Sequence, residues 1–168
     1  YWNLGKFGNQ SLVADWKNVG IIEIEIMQAD YLIIGSGIAG LTYALRVAYH
    51  NKEHSVVVVT KGDKDESNTK YAQGGIATVH DRNIDSFEQH IEDTLIAGDG
   101  LCNEEVVRMV VEEGPARLQE LIDWGVKFDE NNTGEFDLGK EGGHSQNRIL
   151  HHKDITGYEI ERALLLMV

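Results

Sequence analysis

The chain has 168 residues, of which 42% are apolar and 26% are charged, as is typical of globular proteins. A chain of about 150 residues buries roughly 68–70% of its unfolded surface, so this length supports one domain with a hydrophobic core. The formal net charge of −13 disfavours a nucleic-acid partner, because phosphate binding needs clustered lysine and arginine.

Cysteine content and apolar runs indicate the compartment. The single cysteine, Cys102, cannot form an internal disulfide, which favours a reducing compartment. No apolar run reaches the roughly 18 residues of a membrane helix, and the first residues lack the basic and apolar regions of a signal peptide. We therefore predict a cytoplasmic protein with no membrane partner.

The two ends of the sequence predict a fragment of a longer protein. The chain begins with Tyr1 and stops at Val168 inside an apolar, helix-like run, and buried elements of that kind usually pack against a following element. Residues 1–28 are interpreted as an N-terminal extension, which is either native or upstream of a natural start at Met27. Within it, alternating Ile and Glu over residues 22–26 predict a strand with one solvent-facing side.

From residue 29 onwards the pattern predicts a strand, a helix and a second strand. Residues 30–34 form a short apolar run that ends in glycine, as is typical of a strand buried on both faces. Residues 38–49 predict a helix, and residues 56–59, all valine, predict a second buried strand. This βαβ unit predicts an α/β fold with a parallel sheet.

Further helices are predicted downstream. Residues 86–97 form one, and Asn103 can cap the next. We expect Pro115 to interrupt that helix and to stand in the first turn of another. Thr156, with Glu159 three residues later, predicts a capping box at the start of the last helix.

The loop between the first predicted strand and helix reads Gly-Ser-Gly-Ile-Ala-Gly and matches G-x-G-x-x-G. Such a string is weak evidence by itself, but here it has the strand-to-helix context of a dinucleotide site. Gly35 would permit the tight turn, Gly37 the close approach of a pyrophosphate, and Gly40 close packing of helix and strand. The N–H groups at the helix start would face the anion. The alternative is a tight turn without a ligand.

The end of the second predicted strand disfavours a plain NAD-dependent dehydrogenase. Dinucleotide folds usually place Asp or Glu about 20 residues after the glycine loop, where it holds the ribose hydroxyls. Here Thr60 and Lys61 occupy that position.

Several motifs in one order resemble the succinate dehydrogenase/fumarate reductase flavoprotein superfamily and, within it, the L-aspartate oxidase family. Besides residues 35–40 and 60–61, they are Asn-Thr-Lys-Tyr-Ala-Gln-Gly-Gly-Ile-Ala at 68–77, Glu-Asp-Thr-Leu-Ile-Ala-Gly at 92–98, Glu-Gly-Gly-His-Ser at 141–145 and Arg-Ile-Leu-His at 148–151. The resemblance covers about residues 30–165 and is far more specific than the glycine loop alone.

This resemblance implies a Rossmann-like FAD-binding domain. Residues 29–168 would be its N-terminal part, without its second half or the capping domain. The residues expected to bind FAD are Gly35, Ser36, Gly37, Ile38, Ala39 and Gly40 at the pyrophosphate, Lys61 near the adenosine ribose, and Asn68, Thr69, Lys70, Tyr71, Ala72, Gln73, Gly74 and Gly75 along the flavin. Glycine at 74 and 75 fits a flat isoalloxazine ring, which needs backbone without side chains; the alternative is a glycine-rich turn before a strand.

Two positions distinguish families within the superfamily. Succinate dehydrogenases and membrane-bound fumarate reductases have a histidine that bonds covalently to the flavin where this chain has Asn68, so we predict non-covalent FAD. Glu141 stands where dicarboxylate-reducing relatives typically have an aromatic residue. A carboxylate there offers the ammonium group of aspartate a charge-assisted hydrogen bond, and it would be costly if left unpaired against succinate. The alternative is a surface glutamate.

The histidines and the acidic residues differ in their expected roles. The resemblance places His144 near the flavin or substrate, so it joins Glu141 as a candidate substrate-orienting residue. His151 and His152 are expected to be structural, since the spacing matches no metal signature, and we predict no metal site. A solvated surface is expected for the acidic residues Glu88, Glu92, Asp93, Glu104 and Glu105.

The function implied by the resemblance is FAD-dependent oxidation of L-aspartate to iminoaspartate, with oxygen or fumarate as electron acceptor. The product would enter quinolinate and NAD biosynthesis, with quinolinate synthase as a candidate partner.

The family's catalytic arginine lies downstream of the matched region. No catalytic residue is therefore expected in this chain, and the chain alone is predicted to be inactive. The alternatives are a soluble fumarate reductase or succinate dehydrogenase flavoprotein, against which Asn68 and Glu141 count, and a non-catalytic nucleotide-binding module.

Overall fold

The computed structural model of the protein describes residues 3–6, 12–13 and 28–168. The strand predicted at residues 22–26 lies outside them. The chain divides into two compact units, one made of Tyr1–Tyr71 with Ile160–Val168 and the other of Ala72–Glu159.

The first unit contains the predicted βαβ arrangement. Its sheet has the order β2-β1-β4-β3, made of β1 (Asn3–Lys6), β2 (Leu12–Val13), β3 (Tyr31–Ile34) and β4 (Val56–Thr60). Strands β3 and β4 are parallel and are connected through helix α1 (Ile38–His50), which confirms the predicted α/β class. Strands β1 and β2 add antiparallel pairings that the sequence did not predict.

The core of this unit lies between α1 and one face of the sheet. Ile33 pairs with Val58 in the parallel register, and both pack with Ala44 of α1. The neighbours of Ile33 within β3, Leu32 and Ile34, are 63% and 78% exposed. The prediction that β3 is buried on both faces is therefore wrong: β3 is the edge strand of the described sheet, and its burial alternates. The predicted burial of β4 is confirmed.

The second unit contains two helices and a short antiparallel pair of strands. They are α2 (Phe87–Ala97), α3 (Glu104–Asp123), β5 (Ile76–Ala77) and β6 (Ile149–Leu150). Strands β5 and β6 are paired with Ile76 opposite Leu150, and α2 and α3 contact each other. Asn103 caps α3 as predicted, since its side chain accepts from the N–H of Val106 at 3.2 Å.

Helix α3 continues through Pro115, so the predicted interruption is wrong. Proline inside a helix costs about 3 kcal/mol because it removes a hydrogen bond and crowds the preceding turn. On either side of it, Val111, Leu118 and Leu121 are buried at spacings that place them on one helical stripe. Packing of this continuous stripe offsets the local cost, which a sequence pattern alone does not reveal.

Helix α4 (Thr156–Met167) begins one residue before the start that the capping box predicts, and the boundary between the two units falls within it. The two residues of the predicted capping box bind elsewhere. The Thr156 hydroxyl accepts from the N–H of His152 at 3.0 Å, and Glu159 Oε1 accepts from the N–H of Lys127 at 2.9 Å. Thr156 is thus the first residue of the helix rather than the residue before it.

Candidate functional site

The glycine loop joins β3 to α1 as predicted. Gly35 has a φ of +107°, in the region that favours glycine, and its N–H donates to the Val59 carbonyl at 2.8 Å. A Cβ on Gly40 would overlap the carbonyl oxygen of Gly35, which confirms the predicted need for close packing. Gly37 precedes α1 without a side-chain cap, and the first turn contains no acidic residue. The helix start therefore suits an anion.

Residues 67–69 lie against this loop, so the structure brings two of the predicted cofactor motifs together. The N–H of Ile38 donates to Thr69 Oγ1 at 3.0 Å, and a Cβ on Gly37 would be 3.3 Å from the same oxygen. One first-turn amide is thus occupied by the protein itself. The N–H groups of Ala39 and Gly40 lie in the first turn of α1, where the helix offers no carbonyl acceptor one turn earlier. Ser36 is buried, and its hydroxyl has no hydrogen-bond partner.

The segment after this contact is held by ion pairing. Lys70 Nζ is 2.7 Å from Asp65, and this hydrogen bond lowers the pKa of Asp65 and raises that of Lys70. The Tyr71 hydroxyl donates to the Glu66 carboxylate, 2.8 Å and 2.9 Å from its two oxygens. Asn68 is exposed, and so is Lys61, which directly follows β4.

The paired glycines 74 and 75 have different surroundings. A Cβ on Gly75 would overlap the Leu150 carbonyl oxygen and Ile149 Cγ2 of β6, whereas a Cβ on Gly74 would meet only Glu141 Oε1, at 3.8 Å. Strand packing alone therefore accounts for glycine at 75. Gly74 keeps an open surface, as the expectation of a flat ligand requires. The preceding Gln73 is exposed, and the Ala72 carbonyl accepts from the N–H of Gly157 at 2.9 Å.

Glu141 and His144 stand at the two ends of one turn. The Glu141 carbonyl accepts from the N–H of His144 at 3.2 Å, and Gly143 in the turn has a φ of +88°. The Glu141 carboxylate lies beside Gly74 and is exposed. Gly74, which is predicted to meet the flavin, and Glu141, which is predicted to meet the substrate, are therefore adjacent within the second unit.

Arg148 is the central residue of a polar network that sequence reasoning missed. Its side chain is 1% exposed, and its Nε and Nη2 donate to the two carboxylate oxygens of Asp85 at 2.8 Å and 2.7 Å. Its Nη1 donates to Asp93 at 2.6 Å and lies 3.2 Å from Nδ1 of His144. Burial opposes the charge of Arg148, but the bonds to both aspartates raise its pKa.

Asp93 belongs to this network, so the expectation that it is solvated surface is wrong. Its side chain is 14% exposed, and Oδ2 accepts from the N–H and the hydroxyl of Ser145 at 2.8 Å and 2.7 Å. Partial burial raises the pKa of Asp93, but the bonds from Ser145 and Arg148 outweigh it and lower the pKa to about 2. The sequence signal was weak, because Asp93 lies on a helix with exposed acidic neighbours.

Three other histidines have structural surroundings. His90 is buried and its ring centroid is 5.7 Å from that of His144; burial, followed by the charge of Arg148, lowers its pKa. His151 Nδ1 is 3.2 Å and His152 Nδ1 is 3.7 Å from the Asp129 carboxylate. Within the part of the chain that the structure describes, no group of three or more His, Cys, Asp or Glu is placed to hold a metal ion.

Glu161 is a further buried acid that the sequence analysis did not single out. It is 1% exposed, and neither carboxylate oxygen has a hydrogen-bond partner of suitable geometry. Burial raises its pKa to about 7, although nearby Ser67 and Lys70 act in the opposite direction. Ser67 belongs to the segment that lies against the glycine loop.

The family model described as an FAD binding domain matches residues 30–165, which include the glycine loop and the segments that carry Thr69, Gly74 and Glu141. The chain belongs to the FAD-binding domain family. This confirms the predicted Rossmann-like FAD-binding fold class and FAD as its cofactor.

The relatives of this FAD-binding domain agree with the resemblance seen in the sequence. "L-aspartate oxidase 2-a, chloroplastic" of Nicotiana tabacum is 54% identical over 136 residues, which are 81% of this chain and 20% of that protein. L-aspartate oxidase of Vibrio cholerae is 49% identical over 142 residues, 82% of this chain and 26% of that protein. Among solved structures, FrdA of E. coli quinol fumarate reductase has a TM-score of 0.78 at 33% identity, over 84% of this chain and 24% of that one. The chain thus spans about a fifth to a quarter of these relatives.

The residues present fit FAD. The buried Ser36 hydroxyl lacks a partner, and the amides of Ala39 and Gly40 are at the positive end of α1, so these groups would hold the diphosphate. No helix in the described residues has the length and apolar character needed to span a membrane.

Proposed function

We propose that this chain is part of an L-aspartate oxidase, which oxidises L-aspartate to iminoaspartate. In this proposal residues 29–168 are the N-terminal part of its FAD-binding domain, and residues 1–28 precede that domain. Because the chain spans only a fifth to a quarter of its relatives, the activity is proposed for the whole protein, and the chain alone is expected to lack it.

One observation carries the proposal: the Glu141 carboxylate lies beside Gly74, next to the segment expected along the flavin. Aspartate differs from succinate by one ammonium group. Glu141 would accept a charge-assisted hydrogen bond from that group, and a dicarboxylate without the ammonium would leave Glu141 unpaired. FAD would supply the hydride acceptor, and oxygen or fumarate would take the electrons. The role of Glu141 is therefore to select and orient the substrate.

Glu141→Gln in the full-length protein tests this role. The variant should lose at least about tenfold in kcat/KM for aspartate, since hydrogen bonds to charged groups contribute about 1.5–3 kcal/mol. Fumarate reduction with an artificial electron donor should remain within about threefold, because fumarate has no ammonium group to bind. Glu130→Gln, at another exposed position, is the control. Unchanged aspartate turnover in Glu141→Gln would refute the proposed role.

The proposal includes FAD bound without a covalent link. Asn68 lacks the imidazole nitrogen that forms such a link in covalent relatives, and its neighbour Thr69 bonds to the N–H of Ile38 instead. Acid precipitation of the purified full-length protein should therefore release the flavin into the supernatant. Flavin that stays with the precipitated polypeptide would contradict this part of the proposal.

The second candidate is a soluble fumarate reductase or succinate dehydrogenase flavoprotein, which the similarity to E. coli quinol fumarate reductase favours. The two candidates differ in the reductant they use. Reduction of the bound flavin by aspartate but not by succinate would support the oxidase, and the reverse result would support the second candidate.

The product would enter quinolinate formation on the route to NAD, with quinolinate synthase as the proposed partner.

The free thiol of Cys102 agrees with a reducing compartment, so we propose that the protein is located in the cytoplasm. Plant relatives are named chloroplastic, and localisation of the tagged full-length protein in its own cells would decide between the two compartments.

A further inference from the structure

The hydrogen-bond pattern of Arg148 decides the protonation of His144. A guanidinium group has five N–H bonds and no acceptor. Asp85 accepts from Nε and Nη2, and the second hydrogen of Nη2 points to Ser145 Oγ at 3.4 Å. Of the two hydrogens on Nη1, one goes to Asp93. Nη1 also lies 3.2 Å from His144 Nδ1, within reach of its second hydrogen.

Because Arg148 can only donate, Nδ1 of His144 must accept. With Nδ1 as the acceptor, the ring proton lies on Nε2. A ring in the opposite tautomer would direct an N–H at the cation, which costs a hydrogen bond and adds repulsion. Within the described residues nothing hydrogen-bonds to Nε2, so this N–H is available to a ligand.

We propose that Arg148 is a positioning residue that fixes His144 as the Nε2–H tautomer, so that His144 donates one hydrogen bond to a carboxylate of the substrate. The inference rests on the proposed aspartate oxidation. Glu141, at the other end of the same turn, accepts from the ammonium group of that substrate. One turn thus offers an acceptor and a donor, which match the ammonium and carboxylate groups of an amino acid.

The ion pairs around Arg148 restrain the position of His144. Arg148 is 1% exposed and Asp85 3%, so the geometry of the pair is set by packing. Ser145 directly follows His144 and is bound through both its N–H and its hydroxyl to Asp93. The backbone next to the imidazole and its Nδ1 atom are therefore fixed by the same three charged residues. A solvated surface histidine would have neither restraint.

The direct test is the tautomer in the flavin-loaded, full-length enzyme. Nitrogen-15 NMR of histidine-labelled protein, with the His144 signals assigned by their loss in His144→Phe, should show a protonated Nε2 and an unprotonated Nδ1. A protonated Nδ1 in the resting enzyme would overturn the inference. This readout needs no substrate, so it succeeds or fails independently of the proposed activity.

Kinetics then separate the roles of the two residues in the turn. His144→Phe should raise KM roughly tenfold to a hundredfold for both aspartate and fumarate, since both have carboxylates, with a smaller change in kcat. Glu141→Gln should affect aspartate alone. His144→Gln, which keeps an N–H near the position of Nε2, should recover most of the loss. Equal KM values for wild type and His144→Phe with both substrates would refute the role of His144.

A double-mutant cycle tests whether Arg148 acts through His144. Arg148→Lys keeps the charge but loses the fork of donors, so it should raise KM in the wild-type background and have little further effect in His144→Phe. Equal effects in both backgrounds would mean that Arg148 is merely structural. If Arg148→Lys fails to fold, the tautomer measurement on the wild-type enzyme still decides the question.

Discussion

Arg148 and Asp85 form a two-point ion pair whose side chains are 1% and 3% exposed. Both carboxylate oxygens accept from the guanidinium, at 2.7 Å and 2.8 Å, which is the geometry of the strongest pairs of this kind. The residues are 63 positions apart in the chain. The pair therefore connects the segment just before α2 with the segment just before β6.

We expect Asp85→Ala to destabilise the full-length protein by about 3–5 kcal/mol, because it leaves a buried cation with one fewer counter-charge. Denaturant unfolding followed by circular dichroism measures this. Asp137→Ala removes an exposed carboxylate of the same unit and should change stability by less than about 0.5 kcal/mol. Similar unfolding midpoints for the two variants would contradict the importance of the pair.

Gly40→Ala should impair FAD binding. The new Cβ would overlap the Gly35 carbonyl oxygen, so either the loop or the start of α1 must move, at a cost of about 1–3 kcal/mol. The amides expected to hold the diphosphate then shift together. The flavin-to-protein absorbance ratio of the purified full-length protein should fall. Gly62→Ala is the matched control, since its Cβ would meet only Glu66 at 3.7 Å and should leave the ratio unchanged.

Features governed by local backbone chemistry were predictable from the sequence. The turn at Gly35 and the close approach at Gly40 follow from a motif whose glycines have separate steric reasons, and the cap at Asn103 follows from the free amides of a helix start. These requirements involve residues a few positions apart. A single sequence therefore contains all the information they need.

Features governed by tertiary contacts were not predictable in the same way. Pro115 has the local signature of a helix start, but it lies in the middle of α3 because buried residues continue on both sides. Asp93 has exposed acidic neighbours in sequence, but it binds Ser145 and Arg148, more than 50 residues away. One available signal was missed: Glu161 follows Ile160 and precedes Leu164 by three residues, so it shares their buried face.

The two neighbouring glycines should respond differently to the same substitution. Gly75→Ala would overlap β6 and should lower the stability of the full-length protein by about 1–3 kcal/mol. Gly74→Ala has no such neighbour, so its fold should be retained while its affinity for FAD or aspartate falls. Thermal unfolding and flavin titration of both variants measure the contrast. Equal loss of stability in the two would show that the open surface at Gly74 is absent.

Glu161 should lower the free energy of unfolding of the protein as the pH rises from about 4.5 towards 7. Its pKa is about 7 in the folded protein against an ordinary value of 4.5, so between these pH values the folded state holds a proton that the unfolded chain has lost. Stability contributed by this group is therefore complete below about pH 4.5 and falls as the pH rises towards 7.

Glu161→Gln removes this dependence and keeps the size of the side chain. The variant should match the wild-type full-length protein at pH 4 and exceed its free energy of unfolding at pH 8 by up to about 3 kcal/mol, as a shift of this size implies. Glu92→Gln, at an exposed position of α2, should show no such divergence. Parallel stability curves for wild type and Glu161→Gln across this range would mean that the Glu161 carboxyl is already ionised in the folded protein.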